Sequence, residues 1–206
     1  VLLYLTASRL IGQRGALMGC AIWAVSEPAL RLAFATYDPL SLLLTALSAW
    51  LAVQAGDRRH GIVWVAATAG ALGLANATAY SGIVIDPVLI GFAFLVWLPS
   101  MRARRALLWA FCLAAGCAAV FALLLTGAGS WSGLVFTIID RSTSDHQSPL
   151  LVLNDVWGYS GLIICFAIVG TVLAVGTEHR QRGALMALLG CAAFVVPAAQ
   201  LHDQTG

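Results

Sequence analysis

The sequence predicts an all-α polytopic transmembrane helical bundle, and three observations predict it. Hydrophobic residues make up 61% of the 206 positions and charged residues only 10%, where a soluble domain carries about 25% charged. The mean hydropathy is +0.91. The charges fall in short clusters between apolar runs, so the apolar runs are long enough to be read as membrane helices. A net charge of +2 is too small to point to nucleic acid. All 11 basic residues are Arg.

Taken in order, Val1–Ser8 reads as the end of a helix, and Arg9–Arg14 as a short basic loop. Gly15–Ala33 is apolar, interrupted by Glu27, Pro28 and Arg31. Pro39–Gln54 is the next span, and Asp57-Arg58-Arg59-His60 a charged turn. Ile62–Ala75 and Ile83–Leu98 form a helical hairpin through Asn76–Gly82. Both runs are shorter than the roughly 20 residues of a spanning helix, so they are expected to be sheltered by protein or to enter at a slant. Pro99–Arg105 is a basic turn and Ala106–Leu125 an unbroken span. Gly127-Ala128-Gly129 is a helix exit, not a phosphate loop, since no strand precedes it. Thr126–Asp155 is read as an extracytoplasmic loop, with a short interfacial helix starting at Ser148-Pro149. Val156–Val175 and Ala184–Ala198 are the last spans. Residues 1–206 are expected to form one transmembrane module, cut from a longer protein at both ends, because the chain opens at Val1 inside an apolar run.

The loop charges predict sidedness. Arg9, Arg14, Arg58, Arg59, Arg102, Arg104, Arg105, Arg180 and Arg182 fall in alternate loops, nine of the eleven Arg. The positive-inside rule makes that side cytoplasmic. Seven of the nine acidic residues (Glu27, Asp38, Asp86, Asp140, Asp145, Asp155 and Asp203) then lie outside. The five cysteines (Cys20, Cys112, Cys117, Cys165 and Cys191) stand in apolar runs without metal spacing. They read as small apolar residues of membrane helices.

Asp38 is the leading candidate for chemistry, because a carboxylate at membrane depth is costly. As Asp38-Pro39 it is also a good helix start, with Asp at N-cap and Pro at N1. Asp86-Pro87 has the same grammar and is expected to be only a cap. Arg31 and Tyr37 share the approach to Asp38, and a carboxylate beside an Arg at a water-facing cleft suits a metal or a phosphate-bearing ligand. Asp145-His146 and His202-Asp203 are Asp–His neighbours on the same side. With Asp38 they are candidates for a hard-cation site. Otherwise the 139–148 segment reads as a solvated loop. Asn76 and Tyr80 are placed in the outer turn of the hairpin, as interfacial anchors.

Around Ala33–Leu51 the sequence resembles the membrane glycosyltransferases of the GT-C fold, specifically the family 39, protein O-mannosyltransferase-like group. The carrying residues are Arg31 and Tyr37-Asp38-Pro39-Leu40. Arg9-Leu10-Ile11-Gly12-Gln13-Arg14-Gly15-Ala16 resembles the family's cytoplasmic R-x-F-G-x-R-x-A turn. Leu74-Ala75-Asn76-Ala77-Thr78-Ala79-Tyr80, followed by Pro87, resembles its L-A-x-x-T-K-Y … P segment, with Ala79 where the family has Lys. Gln200-Leu201-His202 looks like the start of a Q-x-H loop. The resemblance covers most of residues 1–98 and is sparse beyond.

It implies a GT-C-like module in a bacterial plasma membrane. The reaction implied is transfer of a sugar from a polyprenyl-phosphate donor to an acceptor on the extracytoplasmic face. Membrane lipid would surround the module, and Mg or Mn is the implied divalent cation. Asp38 would be a supporting carboxylate, the main base being expected upstream of Val1. Arg31, Tyr37, Tyr80 and His202 would bind substrate, and Asp38, Asp145 and His146 would hold the cation. Two other readings stay open. In a transporter or permease, Glu27, Arg31 and Asp38 would be coupling charges in the membrane. In a non-catalytic scaffold, Asp38 would be a cap.

Overall fold

The computed structural model describes residues 1–24, 39–57 and 61–135, with five isolated helical positions beyond them (Asn154, Trp157, Cys165, Ile168 and Val169). Every regular element among the described residues is helical. Helix α1 is Leu2–Ala24, α2 Pro39–Asp57, and α3 Gly61–Thr78. A 3-10 turn at Tyr80–Ile85 leads into α4, Asp86–Trp97. Helix α5 is Ala103–Ala128, and α6 is the short Trp131–Val135. Helices α2, α3 and α5 are long and apolar enough to cross a membrane, and α4 is apolar but shorter.

The chain divides into two compact units. One holds Leu10–Ala35 and Ser142–Gly206, of which the main described part is the second portion of α1. There Ala16 is buried, while Leu17, Met18 and Trp23 are exposed. Helix runs on both sides of Gly12, whose φ of 81° and ψ of 165° break it. Only glycine adopts that conformation without strain. The expected Arg9–Arg14 loop is therefore one residue of non-helical backbone at Gly12, with helix continuing through the flanking arginines.

The other unit holds Val1–Arg9 and Thr36–Arg141. In it α2 packs on α3, α3 on α5, and α4 against both α2 and α5. Small residues make this possible by letting backbones approach closely. Ala52 and Ala55 of α2, Val65 and Ala69 of α3, Ala93 and Trp97 of α4, and Ala106, Trp109, Ala110 and Leu113 of α5 form one core cluster. Leu72, Leu89 and Cys117 form a second.

Glycines set the α3–α5 spacing. A Cβ at Gly61 would run into the Trp109 ring. One at Gly116 would lie 2.9 Å from Ala69 Cβ. One at Gly73 would lie 2.8 Å from Val120 and 3.0 Å from the Cys117 carbonyl.

Trp97 is fully buried. Its indole N–H donates to the Ala52 carbonyl at 2.8 Å, and its ring meets Trp109 edge-to-face with centroids 5.6 Å apart. The Arg105 guanidinium lies over the Trp109 ring, 5.2 Å from its centroid, a favourable cation–π arrangement.

The outward face of α5 carries Leu107, Leu108, Phe111 and Leu123, each 60–72% exposed. A stripe of this kind is unfavourable in water and suits lipid. Hydroxyls within the apolar helices bond to their own backbone. Thr45 donates to Ser41, Ser48 to Thr45, Thr68 to Trp64, and Thr126 to Ala122. Each donor is thereby satisfied without an external partner.

Element boundaries mostly extend the sequence reading. Pro39 begins α2, as the N1 preference for proline predicts. Helix α3 runs past the expected end at Ala75 to Thr78, so Asn76 belongs to a helix. Gly129 ends α5 in the left-handed conformation, φ 63°, with its N–H directed to the Leu125 and Thr126 carbonyls. This is the glycine exit the sequence predicts.

Candidate functional site

One polar cluster lies inside the packed helices, formed by Asn76, Asp86 and Cys117. Each element delivers one member. Helix α3 ends two residues after Asn76, the 3-10 turn reverses the chain, and α4 opens on Asp86. Cys117 stands mid-way along α5, one residue from Gly116, where an added Cβ would lie 2.9 Å from Ala69 Cβ of α3.

The contacts converge on one carboxylate oxygen. Asn76 Nδ2 donates to Asp86 Oδ2 at 2.7 Å. The Cys117 thiol lies 3.6 Å from the same oxygen as a donor, and Asn76 Nδ2 is 3.5 Å from Cys117 Sγ. The opposite oxygens, Asp86 Oδ1 and Asn76 Oδ1, are buried and have no hydrogen-bond partner. Asn76 is 2% exposed. A buried polar atom left without a partner costs about 1–3 kcal/mol, so two in one cluster mark an arrangement that stability does not explain.

This corrects two sequence expectations. Asp86 does not cap α4. Ile85 holds the cap position, and no side chain caps the helix. Asp86 is the first helical residue, and its side chain is drawn inward by the Asn76 amide and the Cys117 thiol. Asn76 is not an interfacial anchor either, since α3 runs on through it to Thr78 and its side chain is 2% exposed. Cys117 is buried as expected, but it bonds a carboxylate as well as filling space. The signal for the cluster was present: a polar Asn inside an otherwise apolar run, ten residues before an Asp.

Of the residues assigned to substrate or cation, Tyr80 alone falls among those described. It sits at the start of the 3-10 turn, with its ring edge-on to Phe121 of α5, centroids 6.2 Å apart. That contact pins the turn to α5 beside the cluster. Arg31, Tyr37, Asp38, Asp145, His146 and His202 lie outside the described residues, as do Glu27 and Asp203. Among the described residues no group of three or more His, Cys, Asp or Glu could hold a metal ion.

The comparisons with known proteins add no relative, for no family model, curated protein or solved structure matches the chain.

Proposed function

We propose that this chain is the membrane portion of a glycosyltransferase that moves a sugar from a polyprenyl-phosphate donor to an acceptor on the extracytoplasmic face. The observation that supports it is Arg31…Tyr37-Asp38-Pro39, which leads straight into α2, a helix long and apolar enough to span. A carboxylate at the mouth of a spanning helix, with an Arg seven residues earlier, suits a lipid-linked phosphate substrate. The guanidinium would take the phosphate oxygens in a bidentate pair. Asp38 would orient the acceptor or the site's cations of side-chain origin, while a second carboxylate removes the acceptor hydroxyl proton as it attacks the anomeric carbon. The divalent cation that the resemblance implies would fall on Asp38, Asp145 and His146.

In the complete protein, reconstituted with a radiolabelled polyprenyl-phosphate sugar, Asp38→Asn is expected to lower transfer by about 100-fold or more with folding intact. Transfer at the unmodified rate would return Asp38 to the role of helix cap.

A second reading is favoured by a different observation. Asp86 is an ionisable group drawn into the packed helices, the hallmark of ion-coupled transporters. Solute accumulation in proteoliposomes driven by a proton gradient, and abolished by Asp86→Asn, would select it over transfer.

Both readings place the Arg-rich turns in the cytoplasm. A membrane-impermeant thiol reagent applied from outside is expected to label Ser130→Cys and not Ser100→Cys, in a background where Cys112 is replaced. The reverse pattern would invert the topology.

A further inference from the structure

The two partnerless oxygens belong to one chemical figure. A carboxylic acid and a primary amide pair through two parallel hydrogen bonds, amide N–H to acid C=O and acid O–H to amide C=O. The first is present, Asn76 Nδ2 to Asp86 Oδ2 at 2.7 Å. The atoms of the second are the two that are buried and unpartnered, Asp86 Oδ1 and Asn76 Oδ1. Two acceptors cannot bond to each other, but a single hydrogen shared by them would satisfy both.

We propose that Asp86 and Asn76 form a buried proton-binding site, in which a proton resides on Asp86 Oδ1 and is held by Asn76 Oδ1. The Cys117 thiol completes it by donating to Oδ2. The proton comes from water and returns to water, leaving a carboxylate, so no other reactant is needed.

The surroundings favour this occupant over a cation. A hard cation takes six or more oxygen ligands, and two side-chain oxygens are free here. Among the described residues no cation bonds to the Asp86 carboxylate; its partners are an amide and a thiol. The group facing Asp86 from α3 is Asn76, and that from α5 is Cys117. Tyr80 of the adjoining turn is engaged with Phe121. Arg102, Arg104 and Arg105 stand at the other end of α5. A buried carboxylate without a cation is neutralised more cheaply than it is solvated.

The site joins three helices, so gain and loss of this proton is felt by all of them. With the proton bound, α3, α4 and α5 are bonded together. Once it has left, Asp86 Oδ1 and Asn76 Oδ1 share no hydrogen, and the tie between α3 and α4 rests on the single Asn76 Nδ2–Asp86 Oδ2 bond.

The rival occupant is a water molecule donating to both oxygens, which would leave Asp86 ionised. Infrared difference spectroscopy of the protein in lipid bilayers separates the two. At neutral pH the unmodified protein is expected to show a carboxylic-acid C=O band that shifts in heavy water and disappears in Asp86→Asn. If Asp86→Asn instead removes intensity from the carboxylate bands and leaves the acid region unchanged, the proposal fails.

Thermal unfolding gives a second readout. Asn at 86 reproduces the neutral acid, since an amide–amide pair makes the same two bonds, so Asp86→Asn is expected to fold. The folded protein holds a proton that the unfolded chain releases near neutral pH, so its stability falls as pH rises. That fall, seen in the unmodified protein from mildly acidic to alkaline pH, is expected to flatten in Asp86→Asn. An equal slope in both proteins, or an Asp86→Asn protein that does not fold, would overturn the assignment.

Discussion

Trp97→Ala is expected to cost about 3–5 kcal/mol of stability, the range for truncating a buried Trp. The ring is fully buried, and it is the common contact of α2, α4 and α5. It donates to the Ala52 carbonyl of α2, rests edge-to-face on Trp109 of α5, and would touch any Cβ at Gly56 at 3.4 Å. Removing it opens a cavity between three helices whose other contact residues are mostly Ala, too small to fill the space. Trp97→Phe keeps most of the ring and loses the N–H, so it is expected to cost only about 1–2 kcal/mol. Reversible unfolding in mixed micelles would read both. A Trp97→Ala protein within about 0.5 kcal/mol of the parent, as for a surface substitution, would show that the three helices do not depend on this ring.

Gly73→Ala carries the second large effect, expected at about 1–3 kcal/mol for overpacking a tight interface. The new Cβ would sit 2.8 Å from Val120 Cβ and Cγ1 and 3.0 Å from the Cys117 carbonyl. The carbonyl is backbone and cannot rotate away, so α3 and α5 must separate. The same residues carry Asn76 and Cys117, one turn or less from the strained contact. The substitution should therefore also weaken the Asn76–Asp86–Cys117 cluster. Gly70 on the same helix is the control, because a Cβ there meets nothing within 4 Å. Gly70→Ala should leave stability unchanged or raise it by about 0.5–1 kcal/mol, the gain of Ala over Gly in a helix. Equal effects at the two positions would exclude close packing as the cause.

Much of the helical layout was legible in the sequence. The span beginning at Pro39, a basic turn opening at Pro99 and the exit at Gly129 follow from proline, charge and glycine placement, although α5 starts at Ala103 and takes in Arg104 and Arg105, which were read as turn. What was not legible depends on tertiary contact. Asp86-Pro87 and Asp38-Pro39 share the same local grammar, and nothing local says that one aspartate turns inward. That direction is set by Asn76, which the sequence assigned to a turn because it stands near Tyr80 and Gly82. Helical hydrogen bonding carries α3 three residues past the expected end at Ala75, and this places Asn76 in the core. Cys117 looked like any small apolar residue until α5 brought its thiol to Asp86. The Arg9–Arg14 stretch shows the opposite error, as charge alone suggested a loop where one glycine breaks a helix.

The length of α4 has a consequence for depth. Its 12 residues rise about 18 Å at 1.5 Å per residue, against a hydrocarbon layer about 30 Å thick. Asn76 lies about 22 Å along α3 from Gly61, and Cys117 about 21 Å along α5 from Ala103, on the same helical rise. The three polar side chains thus share one level. If the basic ends of the helices rest at one surface of the bilayer, that level falls roughly 10 Å below the other. The Tyr80–Ile85 turn then closes the chain beneath the lipid headgroups rather than among them. A short helix would thus hold Asp86 below the headgroup level on that side of the membrane.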